Sequence, residues 1–360
     1  MVYLPSSGYR THISLRRFFD HWQVGRAFRR FAHKAEKPDL ILCAYPTIDL
    51  AYETLRFGTA EDIPTIIDVR DMWPDALIER ITDRVPGLPE MFTRWLVAPY
   101  ARRGRRALAG ATAIMAITSS MLRWAQDLGG RDASVREKDF HLYQSKLLPT
   151  AGSAEQIDHP SADLLMQRPD KIRLVWVGNI VPDTDANTLI EAIGNLSAEA
   201  QSRLDFIVCG RGSLAPQMQS LATKLDCVHY FEWLDATALH HLLHHSHYGL
   251  LCYLDRPDFH MSVPNKVVDY LAASLRIVSS IGGEIETLVA DPDILRRYTA
   301  GDVRELTAIF ENIAASPREQ HAPSGKAFDL FQRHFDAEQN IETLEQKLLQ
   351  IAEFRERPAS

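Results

Sequence analysis

The sequence holds only four cysteines in 360 residues, Cys43, Cys209, Cys227 and Cys252, and no two of them form a Cys-x-x-Cys pair. That argues against a disulfide framework and against a cysteine zinc site. Three of the four sit in or beside apolar runs, where reduced, buried thiols belong. No run approaches the roughly 18 apolar residues that a membrane-crossing helix needs. The opening "MVYLPSSGYRTHISLRR" lacks the charged-then-apolar order of a secretory signal. Low-complexity segments and short repeats are also missing. The basic residues are not interleaved with aromatics as in a known nucleic-acid module, so no nucleic-acid partner is expected. Together these absences leave a cytoplasmic globular protein.

What is present is ordinary in bulk and uneven in charge. Hydrophobic residues make up 46% and charged residues 24%, and 360 residues suit two domains that each bury a core. The net charge of −7 divides unequally. Residues 1–150 hold 22 Lys/Arg against 17 Asp/Glu, while the remaining 210 hold 18 against 30. A basic first half suits an anionic partner, either a membrane surface or a phosphorylated substrate.

Short apolar runs alternate with helical patterns along the whole chain. "DLILCAY" (39–45), "PTIIDV" (64–69) and "ATAIMAIT" (111–118) predict buried parallel strands, with amphipathic helices near 12–35, 48–58, 88–108 and 119–128. "IRLVWVG" (172–178), "LDFIVCG" (204–210), "VHYF" (228–231), "YGLLCY" (248–253) and "RIVSS" (276–280) repeat the rhythm. This is the pattern of doubly wound α/β domains with helices on both faces. The expected division is a first domain over 1–150, a polar linker over 151–171, a second domain over 172–322 and a C-terminal helix within 323–360.

Ligands of open parallel sheets bind beyond the carboxyl ends of the strands, so the residues just after each strand are the candidates. Gly178-Asn179 follows one strand and Gly210-Arg211-Gly212-Ser213 follows another. Each glycine turn can bring backbone amides to a phosphate, although each is as often only a tight turn. Arg211 adds a guanidinium for a phosphate or a base. "SSIGGEIE" supplies a third glycine turn at Gly282 and Gly283.

"SVPNKVVDYLAAS" (262–274) reads as a helix capped by Ser262, with Lys266 in the first turn, where the helix dipole disfavours a cation. An anion bound there would bring dipole, free N–H groups and ammonium together on a diphosphate. The plainer reading pairs Lys266 with Asp269 or points it to water. Asp269, one turn on, suits sugar hydroxyls. Three such turns on one domain argue for a nucleoside diphosphate.

The stretch "PNKVVDYLAAS", followed by "RIVSS" and "GGEIE" and preceded by "LVWVGNI" and "FIVCGRG", resembles the donor-binding domain of GT-B glycosyltransferases, in particular family 4. "IIDVRDMWPD" with "AIMAITSSM" looks like the acceptor-side domain of bacterial members that build surface polysaccharides. The resemblance spans roughly residues 8–320. It implies two Rossmann-like domains facing a cleft and retaining transfer from a nucleotide-sugar to a lipid-linked or saccharide acceptor, with no cofactor and no required metal. It also implies residue roles. Asp269 stands where the family holds the nucleotide ribose with a glutamate, and Pro264, Asn265 and Lys266 lie where backbone meets the diphosphate. Gly282 and Gly283 match a glycine pair near the transferred sugar, and Gly178 matches the turn after the domain's first strand.

The departures matter as well. Met261 stands where many members carry a second acid, and "NIVPDTDAN" replaces a base-bearing loop, which leaves Lys266 and Arg211 as the proposed catalytic cations with Asn179 and Gly210 beside them. Ser274 replaces a family glycine. The family's usual N-terminal strands have no counterpart, so the first domain is expected to be shortened, with about three strands and an open edge. With the absent base after Gly178, that raises the alternative of a catalytically weak GT-B-like subunit completed by a partner chain. A second alternative, a GT-B-fold nucleotide-sugar epimerase, would need acid/base carboxylates and histidines that the sequence does not identify.

Arg70, Asp71 and Trp73 follow the strand "TIIDV" and are the acceptor-side candidates, with Arg70 for an acceptor phosphate. The competing reading has Arg70 and Asp71 closing the loop and Trp73 packing in the core. The basic segments 14–31 and 88–108 are candidates for docking on anionic lipid, or else plain solvated helix faces. "LHHLLHHSHYG" has histidines at helical spacing, but it precedes a strand, away from the ligand end, so a helix face is expected there and no metal site.

Overall fold

The protein is described by a computed structural model covering residues 1–9, 14–85, 87, 89–148 and 159–353. The chain forms two compact units, Met1–Tyr143 with Gln339–Ser360, and Gln144–Glu338. The structure is mixed α/β with one parallel sheet in each unit, as the alternating pattern requires.

The first unit holds β1 (Ile41–Tyr45), β2 (Thr65–Val69), β3 (Ala113–Ala116) and β4 (Phe140–His141) in the order β1-β2-β3-β4, all parallel. β2 and β3 are buried along their whole length, as expected of strands with both faces covered. β1 lies at an edge of the sheet, and its Leu42 is 42% exposed. The helix Leu15–Ala32 is capped by Ser14, whose hydroxyl accepts from the Arg17 N–H. It is followed along the chain by the helices Ile48–Glu61, Asp75–Arg84 and Glu90–Gly110. Asp75–Arg84 and β4 were not expected from the pattern: the helix follows a Trp-Pro turn and the strand has only two residues.

A buried ion pair ties this unit together. Arg131 donates to Asp139 at 2.7 Å, with both side chains fully buried. Arg131 also donates to the carbonyls of Leu108 and Ala111, and Asp139 accepts from the Ile114 N–H and from Gln126. The pair is therefore well satisfied, the condition under which a buried pair is tolerated.

The second unit holds β5 (Ile172–Val177), β6 (Leu204–Cys209), β7 (Val228–Phe231), β8 (Tyr248–Leu251), β9 (Arg276–Ser279) and β10 (Leu295–Arg297). Their order is β10-β9-β8-β5-β6-β7, all parallel. The strand order reverses beside β5, the switch point where such sheets open a ligand crevice. β10 was missed because two of its three residues are arginines. A core of Trp176, Phe206, Tyr248, Phe310 and Ile313 packs between this sheet and its helices.

Two segments differ from the expected pattern. Residues 151–158 of the proposed linker lie outside the described residues, but Pro160–Gln167 is a helix that buries Ala162 and Leu165. The C-terminal stretch is two helices, Gly325–Phe335 and Ala337–Glu353, with residues 354–360 outside the description. On the second of these, Leu344, Leu348 and Ile351 pack on Ile66, Ala113, Met115 and Phe140 of the first unit. No described helix is long and apolar enough to cross a membrane. All four cysteines are free and buried.

Replacing Asp139→Ala strands a buried guanidinium and is expected to cost about 3–5 kcal/mol in denaturant unfolding of the first unit. Ser274 sits at φ 61°, beyond the last turn of the helix Asn265–Ala272, where glycine carries no Cβ penalty. Ser274→Gly should therefore raise stability by about 1 kcal/mol on the same measurement.

Candidate functional site

The candidates of the second unit gather at the carboxyl ends of β5, β6, β8 and β9. Gly178, with φ 129°, follows β5 directly, and Gly210 follows β6. The two turns are laced backbone to backbone. Gly178 N–H donates to Cys209 O at 2.9 Å, Ile180 N–H to Arg211 O at 2.8 Å, and Leu214 N–H to Ile180 O at 3.0 Å. Gly210 N–H donates to Phe231 O. A Cβ on Gly210 would fall 1.8 Å from Gly178 O, and one on Gly212 would fall 2.2 Å from Ile180 O. These glycines are required by close approach, and the N–H groups of Gly178 and Gly210 are used inside the sheet. Asn179 and Arg211 are exposed beside them.

Lys266 is held against this turn. A Cβ on Gly178 would lie 2.7 Å from Lys266 Cε, so the lysine stem runs over the glycine itself. Its ammonium lies 4.9 Å from the Tyr253 ring centroid and 5.5 Å from that of Trp176. It makes no ion pair among the described residues. Burial lowers its pKa to about 8. The plainer reading of Lys266 therefore does not hold. It neither pairs with Asp269, which is joined to Lys146 instead, nor extends freely into water.

The helix Asn265–Ala272 starts after Pro264, with no side chain bonded to its first-turn N–H groups. Ser262 is not the cap: its hydroxyl donates back to Phe259 O at 3.3 Å. The helix start thus offers backbone donors beside the ammonium, with Asn265 exposed at the first position. After β9, Gly282 N–H donates to His260 Nδ1 at 3.3 Å. Gly283 has φ 64°, and a Cβ there would meet His260 O at 2.2 Å. A Cβ on Gly282 would fall 1.8 Å from Arg297 Nη1. Arg297 bonds the carbonyls of Ser279 and Ser280 and pairs with Glu286 at 3.2 Å. Arg297, His260, Tyr253 and Lys146 were not singled out from the sequence; only the polar ends of missed β10 and the short helix Pro257–His260 could have signalled the first two.

Arg211 pairs with Glu232 at 2.9 Å with both side chains largely exposed, so its guanidinium is loosely held. The histidines of the helix Ala236–His244 and its cap pack ring to ring, His240 with His244 and His241 with His245, each at 4.2 Å. Among the described residues no group of three or more His, Cys, Asp or Glu side chains could hold a metal ion.

In the first unit, Arg70 turns back onto Asp68 at 2.6 Å, and burial raises the Asp68 pKa despite this partner. Asp71 accepts the N–H of Met72 at 2.8 Å. Trp73 is buried, with the Arg17 guanidinium 4.0 Å from its ring centroid and its carbonyl accepting from the Tyr45 hydroxyl at 2.6 Å. His21 meets the Tyr100 hydroxyl at 2.6 Å, and burial lowers its pKa to about 4. All three acceptor-side candidates are therefore engaged in local contacts, and Arg17, His21 and Tyr100 join them.

Residues 4–137 match the family model described as "Glycosyl transferase 4-like domain", and residues 171–314 match "Glycosyl transferases group 1". Among solved structures, HepE of Anabaena in complex with UDP is similar at 12% identity and a TM-score of 0.64, over 91% of this chain and 82% of that one. Sucrose-phosphate synthase of Thermosynechococcus elongatus is similar at 14% identity and a TM-score of 0.67, over 97% and 82%. The α,α-trehalose 6-phosphate synthase of Burkholderia multivorans is similar at 11% identity and a TM-score of 0.65, over 95% and 78%. No sequence match to a curated protein was found.

The Lys266 environment predicts a pH effect of definite sign. Its folded pKa lies below its ordinary value of 10.5, so the unfolded chain binds more protons between the two. Stability contributed by this group therefore rises as pH increases from about 8 toward 10.5. Lys266→Met should be more stable than the native protein at pH 7, with the gap closing by pH 10, in denaturant melts across that range.

Proposed function

We propose that this chain, a glycosyltransferase of the GT-B fold, moves a sugar with retention from a nucleotide-sugar to a lipid-linked or polysaccharide acceptor in cell-surface polysaccharide assembly. The observation that carries the donor side is Lys266, a cation without a counter-charge over the switch-point glycine. An anion is the missing partner for that charge. The β-phosphate of a leaving nucleoside diphosphate supplies it at the moment when negative charge builds there. Anabaena HepE has been solved with UDP and with UDP-glucose, which supports a uridine diphosphate sugar as the donor class.

In this reading Lys266 neutralises the leaving diphosphate, and the first-turn N–H groups with Asn265 position it. Arg211, released from Glu232, closes on the same charge or on the base. Asp269 receives the ribose hydroxyls, and Gly178, Asn179, Gly210, Gly282 and Gly283 shape the floor. Arg70, Asp71 and Trp73 frame the acceptor, and an anionic membrane surface presents a lipid-linked one. No metal or cofactor takes part, so EDTA should leave turnover unchanged.

A second reading has support in the exposed edge strand β1, which carries Leu42 toward solvent. It makes the chain a subunit whose first sheet is completed by a partner chain. Light scattering of the purified chain together with assays against cell extract would separate the two, since the enzyme reading requires turnover by the isolated chain.

For the donor site, Lys266→Ala should lower turnover about 100-fold, the scale of losing one preorganised donor. Donor-hydrolysis and transfer assays over a panel of uridine diphosphate sugars read this directly. Unchanged kinetics in the variant would remove Lys266 from the site.

A further inference from the structure

The first unit contains a cavity of about 480 Å³ that none of the strand-end candidates lines. Its walls come from the helices Leu15–Ala32, Ile48–Glu61 and Glu90–Gly110. Small residues let these helices close on one another. A Cβ on Gly25 would lie 2.9 Å from Asp49 O, and one on Gly110 would lie 2.8 Å from Leu55 Cδ2. Six arginines line the cavity, Arg26, Arg29, Arg56, Arg102, Arg103 and Arg106, against two carboxylates, Asp49 and Glu53.

The carboxylates are already in use. Glu53 is shared by Arg29 at 4.0 Å and Arg56 at 3.4 Å, and Asp49 is taken by Arg103. Arg26 lies 4.7 Å from the Trp22 ring centroid. Arg102 and Arg106 make no hydrogen bond or ion pair among the described residues. Like charges collected around one concavity repel, and an anion entering it relieves that repulsion. Guanidinium forks match phosphate oxygens two at a time, which lysine cannot do.

We propose that this groove binds a phosphorylated group, at a site separate from the donor diphosphate. Its surroundings favour a lipid as the source. The stacked pair Phe19–Trp22 and the pair Phe92–Trp95 stand at the N-terminal ends of two of the lining helices, and Trp95 is 70% exposed. Exposed aromatics beside an arginine groove suit the headgroup level of an anionic bilayer. A soluble phosphate ester presents the same oxygens. The lipid arm rests on the membrane-surface reading above, and the soluble arm does not.

The test uses the full chain and the double variant Arg102→Ala/Arg106→Ala. Inorganic pyrophosphate is titrated calorimetrically in a Lys266→Met background, which removes the proposed donor cation. Vesicles of phosphatidylglycerol in phosphatidylcholine, and of phosphatidylcholine alone, are used for co-sedimentation. Binding should be saturable, should weaken with salt and should fall at least ten-fold in the double variant, with an unchanged melting temperature. A ten-fold loss on anionic vesicles assigns a lipid phosphate. A loss with pyrophosphate alone assigns a soluble ester and removes the membrane reading while the groove stands. Binding of both probes unchanged by the double variant, or no saturable binding of either, overturns the proposal.

Discussion

An ammonium group without a counter-charge, kept over two aromatic rings, is the constraint on which the second unit's ligand end depends. Lys266 reaches that position because Gly178 has no Cβ to obstruct its stem. Gly178 keeps its own position because its carbonyl sits where a Cβ of Gly210 would be and its N–H is tied to Cys209. A side chain at Gly178 would displace the Lys266 stem, and one at Gly210 would displace the Gly178 carbonyl. Burial disfavours the charged lysine in the free protein, as its lowered pKa records, and in the proposed reading the donor diphosphate offsets that cost.

The same logic sorts the glycines of the site. A glycine after a strand is commonly read as a free backbone donor for phosphate, but the Gly178 and Gly210 N–H groups are bonded to neighbouring carbonyls, while the helix that starts after Pro264 has no side-chain cap. Gly178, Gly210 and Gly212 instead remove side-chain bulk so that two strand-end loops can interlock. Gly282 and Gly283 clear space for Arg297 and for the His260 backbone. In the proposed reading, the phosphate-facing part of the site is a helix start and a cation resting on a floor of packed backbone.

Much of this was legible in the sequence because buried parallel strands are nearly continuous apolar runs. β5, β6, β8 and β9 could each be read to within a residue or two, and with them the ends where ligands gather. The failures share a physical cause. β4 and β10 are too short or too charged to leave a hydrophobic signature, so Arg297 went unnoticed. Ser262 has the composition of a cap, but its hydroxyl finds a nearer carbonyl at Phe259, a competition that composition does not reveal. Ser274 stood out as a missing glycine, and its left-handed backbone gives the reason a glycine suits that position. Trp73 and Arg70 were ambiguous because strand-end loops serve ligands and local packing with the same residue types; Arg70 turns to Asp68 two residues back, whereas the Arg17 partner of Trp73 is set by tertiary contact.

Charge is handled differently in the two units, and the difference follows from where each cation can be neutralised. In the acidic second unit carboxylates are abundant, yet Lys266 pairs with none of them among the described residues and rests beside two aromatic rings; in the proposed reading its counter-charge is the donor diphosphate. In the basic first unit the buried charge is settled internally: Arg131 and Asp139 satisfy one another below the surface. Its excess collects on the helices instead, where six arginines line one groove and only three of them meet its two carboxylates. A single desolvated ammonium discriminates strongly in favour of a compact anion, because its energy depends on one contact in a low dielectric. A solvated cluster of guanidiniums acts over a longer range and yields to salt. One arrangement suits a diphosphate that must be held in register for chemistry, and the other suits an anion that needs only to be captured and oriented.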